Sequence, residues 1–230
     1  MSTILILHGW GSCAKNWARI RELLEKDGKK VFIPDLPGFG ENYLLSKPWS
    51  SDDYVNWVRD FCQKNKLSQF FLLGHSFGGS LAVKYALKFP GEIKKIILID
   101  PALIRTKSAK KNILAGAAKI VKIFSFLPFY SLIRRAFYRF VIKSDYPATA
   151  GQLRETYLQV IKVDSLDFLS GLSVPTALIW GEKDDVTPLK DAYPIKEKIS
   201  GAELEILPGI GHDPHAEAPE LLVKKILANL

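Results

Sequence analysis

The stretch that most constrains this chain is Phe70 to Ser80, FFLLGHSFGGS. An apolar run, Phe70-Phe71-Leu72-Leu73, stops at Gly74-His75-Ser76-Phe77-Gly78-Gly79, and a helical pattern with Leu81, Ala82, Tyr85 and Ala86 follows at once. That reads as strand, abrupt turn, helix, with one hydroxyl, Ser76, at the apex. A serine on so sharp a turn needs strained backbone angles, and small residues two before and two after it let strand and helix approach closely. The helix points its free N–H groups and positive dipole end at negative charge developing beside the serine. A glycine-rich turn with an incidental serine would show the same pattern, so the remaining chain has to decide. A phosphate cradle is disfavoured, because the turn has neither G-x-x-x-x-G-K nor G-x-G-x-x-G.

The surrounding pattern alternates short apolar strands with helices. Strands are predicted at Thr3 to Leu7, Val31 to Ile33, Phe70 to Leu73, Lys95 to Asp100, Thr176 to Trp180 and Leu204 to Leu207. Helices are predicted at Asn16 to Leu24, at Ser51 to Cys62 with Ser51 or Asp52 as cap, after Ser76, around Leu189 to Ile199, and at Leu221 to Leu230. Continuous apolar strands between helices imply an α/β fold, a parallel sheet covered on both faces, with sites at the carboxyl ends of the strands. His8, Asp35, Ser76, Asp100, Asp184 and His212 all follow strands. Residues 103–168 interrupt the alternation and read as a helical cap inserted between core segments 1–102 and 169–230.

At 230 residues, with 47% hydrophobic and 24% charged residues, the chain can bury one sizeable core. Met1 to Leu7 is too short to span a membrane and lacks the features of a signal peptide. Cys13 and Cys62 have no metal-ligand spacing, and a reduced, cytoplasmic protein is the simplest inference. A reactive thiol at Cys13, in a glycine-rich loop, is the lesser alternative to the serine. The net charge of +8 is uneven, since Arg105 to Lys143 carries basic residues and no acidic one. Nucleic-acid binding is disfavoured for want of a recognition motif or an aromatic-basic platform. The basic segments, one around Lys111 to Phe124 and one at Leu132 to Ile142, could instead rest on anionic lipid or meet an acidic substrate. The plainer alternative is a lid whose apolar face covers the core and whose charges are solvated.

A serine hydroxyl needs a base, and the base needs a third group to fix its tautomer. His212, in Gly209-Ile210-Gly211-His212 just past the last strand, is the expected base, with His215 as rival. His75 is Ser76's chain neighbour and is poorly placed to reach its hydroxyl. Asp184 is the expected acid; Asp185 beside it and Asp100 on the preceding strand stay open. Asp35 is expected to cap its own proline-rich turn, and His8 to order a loop. The backbone N–H groups of Trp10 and Phe77 are the expected oxyanion donors, since such donors must be preset where charge appears.

These pieces resemble the α/β-hydrolase fold superfamily over nearly the whole chain. The resemblance rests on His8-Gly9-Trp10-Gly11, Asp35-Leu36-Pro37-Gly38-Phe39-Gly40 and Gly74-His75-Ser76-Phe77-Gly78-Gly79. Downstream it rests on Gly181-Glu182-Lys183-Asp184 with Pro188, and on Gly211-His212 with Glu217 and Pro219. The family's Gly-x-x-Asp-x-x-x-Pro pattern lands on Asp184. The chain begins at the strand before the first of these loops, so the resemblance implies about six mostly parallel strands and a sheet edge to be covered. A serine nucleophile sets the chain apart from haloalkane dehalogenases and epoxide hydrolases. Asp213-Pro214-His215 lacks the tryptophan that similar carbon–carbon bond hydrolases often carry there.

What the resemblance implies is a cofactor-free, metal-free serine carboxylesterase acting on a small-molecule ester, as a monomer or homodimer. Catalysis would use Ser76, Asp184 and His212, with Trp10 and Phe77 at the oxyanion. Carbon–carbon bond or amide hydrolysis and a hydrolase-like ligand receptor are the alternatives.

Overall fold

The computed structural model describes residues 2–42, 45–104, 151–160 and 166–230. Six strands form one sheet: β1 (Thr3–Leu7), β2 (Lys30–Phe32), β3 (Phe70–His75), β4 (Ile93–Ile99), β5 (Thr176–Gly181) and β6 (Glu203–Leu207). Their order is β2-β1-β3-β4-β5-β6, and each neighbouring pair runs parallel. The sheet is wholly parallel, with β2 and β6 at its edges among the described residues. Parallel strands need crossovers, supplied by α1 (Ala18–Lys26), α2 (Ser51–Lys64), α3 (Phe77–Lys88) and α5 (Ala192–Lys198). Between β4 and β5 lies α4 (Gly151–Val160); a short α6 (Pro214–Glu217) and α7 (Pro219–Ala228) close the chain.

Side-chain alternation divides the core in two. Leu5, Leu7, Leu72, Leu98, Leu178 and Trp180 face one side, where Tyr54, Val58 and Leu81 of α2 and α3 cover them. Ile4, Ile6, Leu73, Ile97, Ile99 and Ile179 face the other, beneath Ile20 and Leu24 of α1 and Leu222 and Ile226 of α7. Both faces are dry, which is why these strands are continuous apolar runs without polar alternation.

The α2 cap is Ser50, one residue before the first expected position, Ser51, and two before the second, Asp52. Ser50 Oγ accepts the Asp53 N–H at 3.2 Å, and the Asp53 carboxylate accepts the Ser50 N–H at 2.7 Å. The reciprocal box needs its acid three residues on, and Asp53 fits Ser50 alone. The helix expected from Asn16 opens as a 3-10 turn (Ala14–Trp17) before α1, and that around Leu189 as another (Leu189–Asp191) before α5.

The expected cap, 103–168, lies largely outside the described residues, including both basic segments. Of its described part, α4 rests against the core: Thr156 Oγ1 accepts the Trp49 N–H at 2.8 Å, and the Tyr157 ring meets Trp10 edge-on at 5.1 Å. Among the described residues, no helix is long and apolar enough to cross a membrane.

Candidate active site

Ser76 sits between β3 and α3 at φ 52°, ψ −116°, a combination that side chains rarely adopt. Its surroundings over-determine it. The Ser76 N–H donates to the Ile99 carbonyl at 3.0 Å, and the Ser76 carbonyl accepts from Gly79, Ser80 and Ala102 at 2.9, 3.3 and 3.0 Å. The flanking glycines are there for space: a Cβ on Gly74 would lie 2.7 Å from Gly79 Cα, and one on Gly78 2.7 Å from the His8 carbonyl oxygen. The sharp turn therefore depends on backbone passing directly against backbone, and the strain at Ser76 costs on the order of 1–3 kcal/mol.

Three side chains converge from three strand ends. Ser76 Oγ–H points at His212 Nε2 over 3.1 Å, and His212 Nδ1–H donates to Asp184 Oδ2 at 2.7 Å. Asp184 is itself fixed: its Oδ1 accepts the N–H groups of Val186 and Thr187 at 2.7 and 2.9 Å, and its Oδ2 accepts the Thr187 hydroxyl at 2.7 Å. Burial would raise the pKa of this carboxyl, but the bonds from His212 and Thr187 outweigh it and hold the group below its usual value. With Nδ1 committed to Asp184, Nε2 is left bare to accept the serine proton.

The remaining residues fall into supporting positions. His215 stacks flat on Trp17, ring centroids 4.4 Å apart, and it is His212 whose ring meets Ser76. His75 is buried on the far side of the turn, with Nε2–H donating to the His212 carbonyl at 2.8 Å; burial first, then the neighbouring histidines, hold it well below the usual imidazole pKa. Asp185 is exposed, whereas Asp100 is buried and accepts the Gly181 N–H at 2.8 Å. His8 orders its loop, donating through Nδ1 to the Gly9 carbonyl at 2.8 Å and accepting the Leu36 N–H at 3.0 Å. Asp35 does more than cap its own turn: its two oxygens accept N–H groups from Ala14 at 2.6 Å and Glu41 at 2.9 Å, tying two loops together.

Trp10 follows β1, and its ring packs edge-on against Phe39 and Phe77, at 4.9 and 5.3 Å. Phe77 is the first residue of α3, so its N–H is among those with no partner inside the helix. Thr187 escaped the sequence reading, and Glu182 and Glu217 entered it only as parts of motifs, without a role. Thr187 clamps Asp184, Glu182 accepts the Gly209 N–H at 2.7 Å, and Glu217 accepts the Gly211 N–H at 2.8 Å. The two glutamates anchor the loop that carries His212. An open groove of about 660 Å³ lies elsewhere, between Cys13, Asp35, Trp57 and Phe61, and includes none of the three converging side chains.

Comparison with known proteins bears on the family and the fold. Residues 2–139 match the family model described as alpha/beta hydrolase fold. Lipase 3 of Moraxella sp. (strain TA144) is 31% identical over 235 residues, covering 94% of this chain and 73% of that protein. Lipase 1 of Psychrobacter immobilis is 30% identical, covering 94% and 72%. Among solved structures, an esterase from Exiguobacterium antarcticum superposes with a TM-score of 0.78 at 21% identity, covering 100% of this chain and 91% of that one. A thermophilic esterase from Thermogutta terrifontis gives 0.76 at 22% identity, covering 99% and 89%. The chain belongs to the α/β-hydrolase fold family.

Proposed function

We propose that this hydrolase cleaves carboxylic esters through an acyl-enzyme on Ser76. The observation that carries the reading is the unbroken line from Ser76 Oγ through His212 to Asp184, with gaps of 3.1 and 2.7 Å, on a serine held in strained backbone. His212 Nε2 takes the serine proton as Oγ attacks the ester carbonyl carbon. Asp184 holds the ring's tautomer and offsets the charge of the imidazolium that forms. The oxyanion is received by the Phe77 N–H, aided by the positive end of α3, and by the Trp10 N–H. The tetrahedral adduct collapses as His212 returns the proton to the leaving alkoxide, giving the alcohol and a Ser76 ester. Water, deprotonated by the same nitrogen, then releases the acid and restores the serine.

The ester class is supported by the lipase relatives and by the esterases that share the fold. Residues 103–168 are proposed as the cap over this site, with Tyr157 of α4 against Trp10 at its inner margin. The test is turnover of short p-nitrophenyl esters together with labelling by a fluorophosphonate. Both should be present in the wild type and lost in Ser76→Ala, where the residual rate should fall by about 10⁴-fold or more. Full labelling of Ser76→Ala would overturn the assignment.

A further inference from the structure

Directly behind the candidate triad lies a second cluster that the mechanism does not use. One ligand-type atom from each of His75, Asp213 and His215 falls within 4.8 Å of the other two. Both imidazoles are more than nine-tenths buried, and each has an Nδ1 with no hydrogen-bond partner among the described residues. Leaving a buried ring nitrogen unpaired costs about 1–3 kcal/mol, so two of them, on rings whose centroids lie 5.1 Å apart, call for an occupant. Asp213 is exposed and opens the cluster to solvent.

We propose that His75, Asp213 and His215 form a binding site for a transition-metal dication, Zn²⁺ in the first instance, that inhibits the enzyme when filled. Two imidazoles and a carboxylate are the donor set of an open zinc site, with a fourth position left to water. Zn²⁺ bonds of about 2.0–2.2 Å set ligand atoms some 3.3–3.5 Å apart, so each donor here must move inward by about 1 Å or less. Asp213 supplies that movement most readily, being exposed and set on a loop. Imidazole donors favour Zn²⁺ or Cu²⁺ over Ca²⁺ and Mg²⁺, which take oxygen ligands. His75 Nε2 is already committed to the His212 carbonyl, which leaves Nδ1 as the nitrogen with a free lone pair.

The consequence for turnover follows from connectivity. Asp213 is the residue after His212, and drawing it toward His75 pulls the His212 loop down onto β3. The 3.1 Å approach of His212 to Ser76 is then lost. This inhibition rests on the proposed serine mechanism; the binding itself does not.

The experiment is calorimetric titration of chelator-treated protein with ZnCl₂, alongside the visible absorption of a Co²⁺ complex. One equivalent should bind in the micromolar range, with Co²⁺ bands of low coordination number. His215→Phe, which keeps a ring stacked on Trp17, and Asp213→Asn, a surface change, should each weaken Zn²⁺ by tenfold or more, at least the roughly tenfold lost with an outer-sphere partner. His212→Ala should bind Zn²⁺ as the wild type does. Loss of binding in His212→Ala with retention in His215→Phe and Asp213→Asn would overturn the site, as would absence of binding up to about 100 µM Zn²⁺. In the wild type, Zn²⁺ should suppress ester turnover reversibly on chelation, and in Asp213→Asn it should not; wild-type turnover undiminished with the site filled would overturn the inhibition. Absence of turnover without metal would instead count against the ester-hydrolase reading and leave the binding result standing.

Discussion

Asp100 follows β4 fully buried, at φ 44°, with Oδ1 accepting the Gly181 N–H at 2.8 Å and Oδ2 meeting no donor among the described residues. Its pKa is pushed up to about 9, chiefly by burial; the Gly181 N–H works against this, and the adjacent Asp184 carboxylate and the charge of Asp213 add to it. At neutral pH the group is therefore a neutral acid, and its proton turns Oδ2 into a donor toward Asp184. An acid raised in the folded state makes stability greatest below the unfolded pKa near 4. Stability then falls as pH rises, until the folded pKa near 9 is passed. The slope is about 1.4 kcal/mol per pH unit, which between pH 4 and 7 amounts to about 4 kcal/mol as an upper bound. Relaxation around buried charge reduces the recoverable part to about 1–2 kcal/mol. Asp100→Asn has nearly the same shape, keeps the oxygen for Gly181 and offers an N–H to Asp184. It should raise the melting temperature by about 2–8 °C at pH 7, with a gap that widens steadily from pH 5 to pH 9. Thermal unfolding followed by circular dichroism across that range, with ester turnover in parallel, measures both. A variant less stable than the wild type, or a gap that ignores pH, would show that this carboxyl is ionised in the native protein.

Two further outcomes test the machinery around Ser76. Thr187→Val removes the hydroxyl that reaches Asp184 at 2.7 Å while keeping the side chain's shape, and a bond to a charged acceptor is worth about 1.5–3 kcal/mol. Steady-state kinetics should show kcat reduced by about tenfold or more with KM little changed; an unaltered kcat would dismiss Thr187 as a positioning residue. Ser76→Gly should be more stable than Ser76→Ala by about 1 kcal/mol in urea denaturation, because glycine relaxes at positive φ and alanine does not. Equal midpoints would mean that the turn at Ser76 carries no strain.

The sheet and the serine turn are legible in the sequence because each depends on local chemistry that repeats or punctuates. Phe70 to Leu73 is apolar on both faces because the strand is covered on both, and Gly74 and Gly78 mark where backbone meets backbone. The α2 cap was missed by a residue because Ser50, Ser51 and Asp52 are all good caps in isolation, and only the acid at Asp53 chooses among them. Thr187 was invisible for another reason. Its hydroxyl acts through Asp184, three residues back on a loop without periodicity, and threonine in a proline-flanked loop carries no signal of its own. Asp100 stands as a rival acid in the sequence because a carboxyl at a strand end looks the same whether charged or protonated; burial, with the neighbouring carboxylates, separates the two states.

The same contrast explains how the site is built. Ser76 is held by the sheet: its N–H and carbonyl are bonded to the ends of β4 and the start of α3, so its position is as rigid as the core. His212 lies beyond β6 on a loop with Gly209 and Gly211 before it, tied back to the end of β5 by the Lys183 N–H, which donates to the Ile210 carbonyl at 2.8 Å. It is brought to within 3.1 Å of the serine by side chains that reach back to it. Glu182 holds Gly209, Glu217 holds Gly211, His75 holds the His212 carbonyl, and Asp184 holds the ring. The serine is thus placed by the backbone of the sheet and the base largely by side chains, on the same loop where His75, Asp213 and His215 meet.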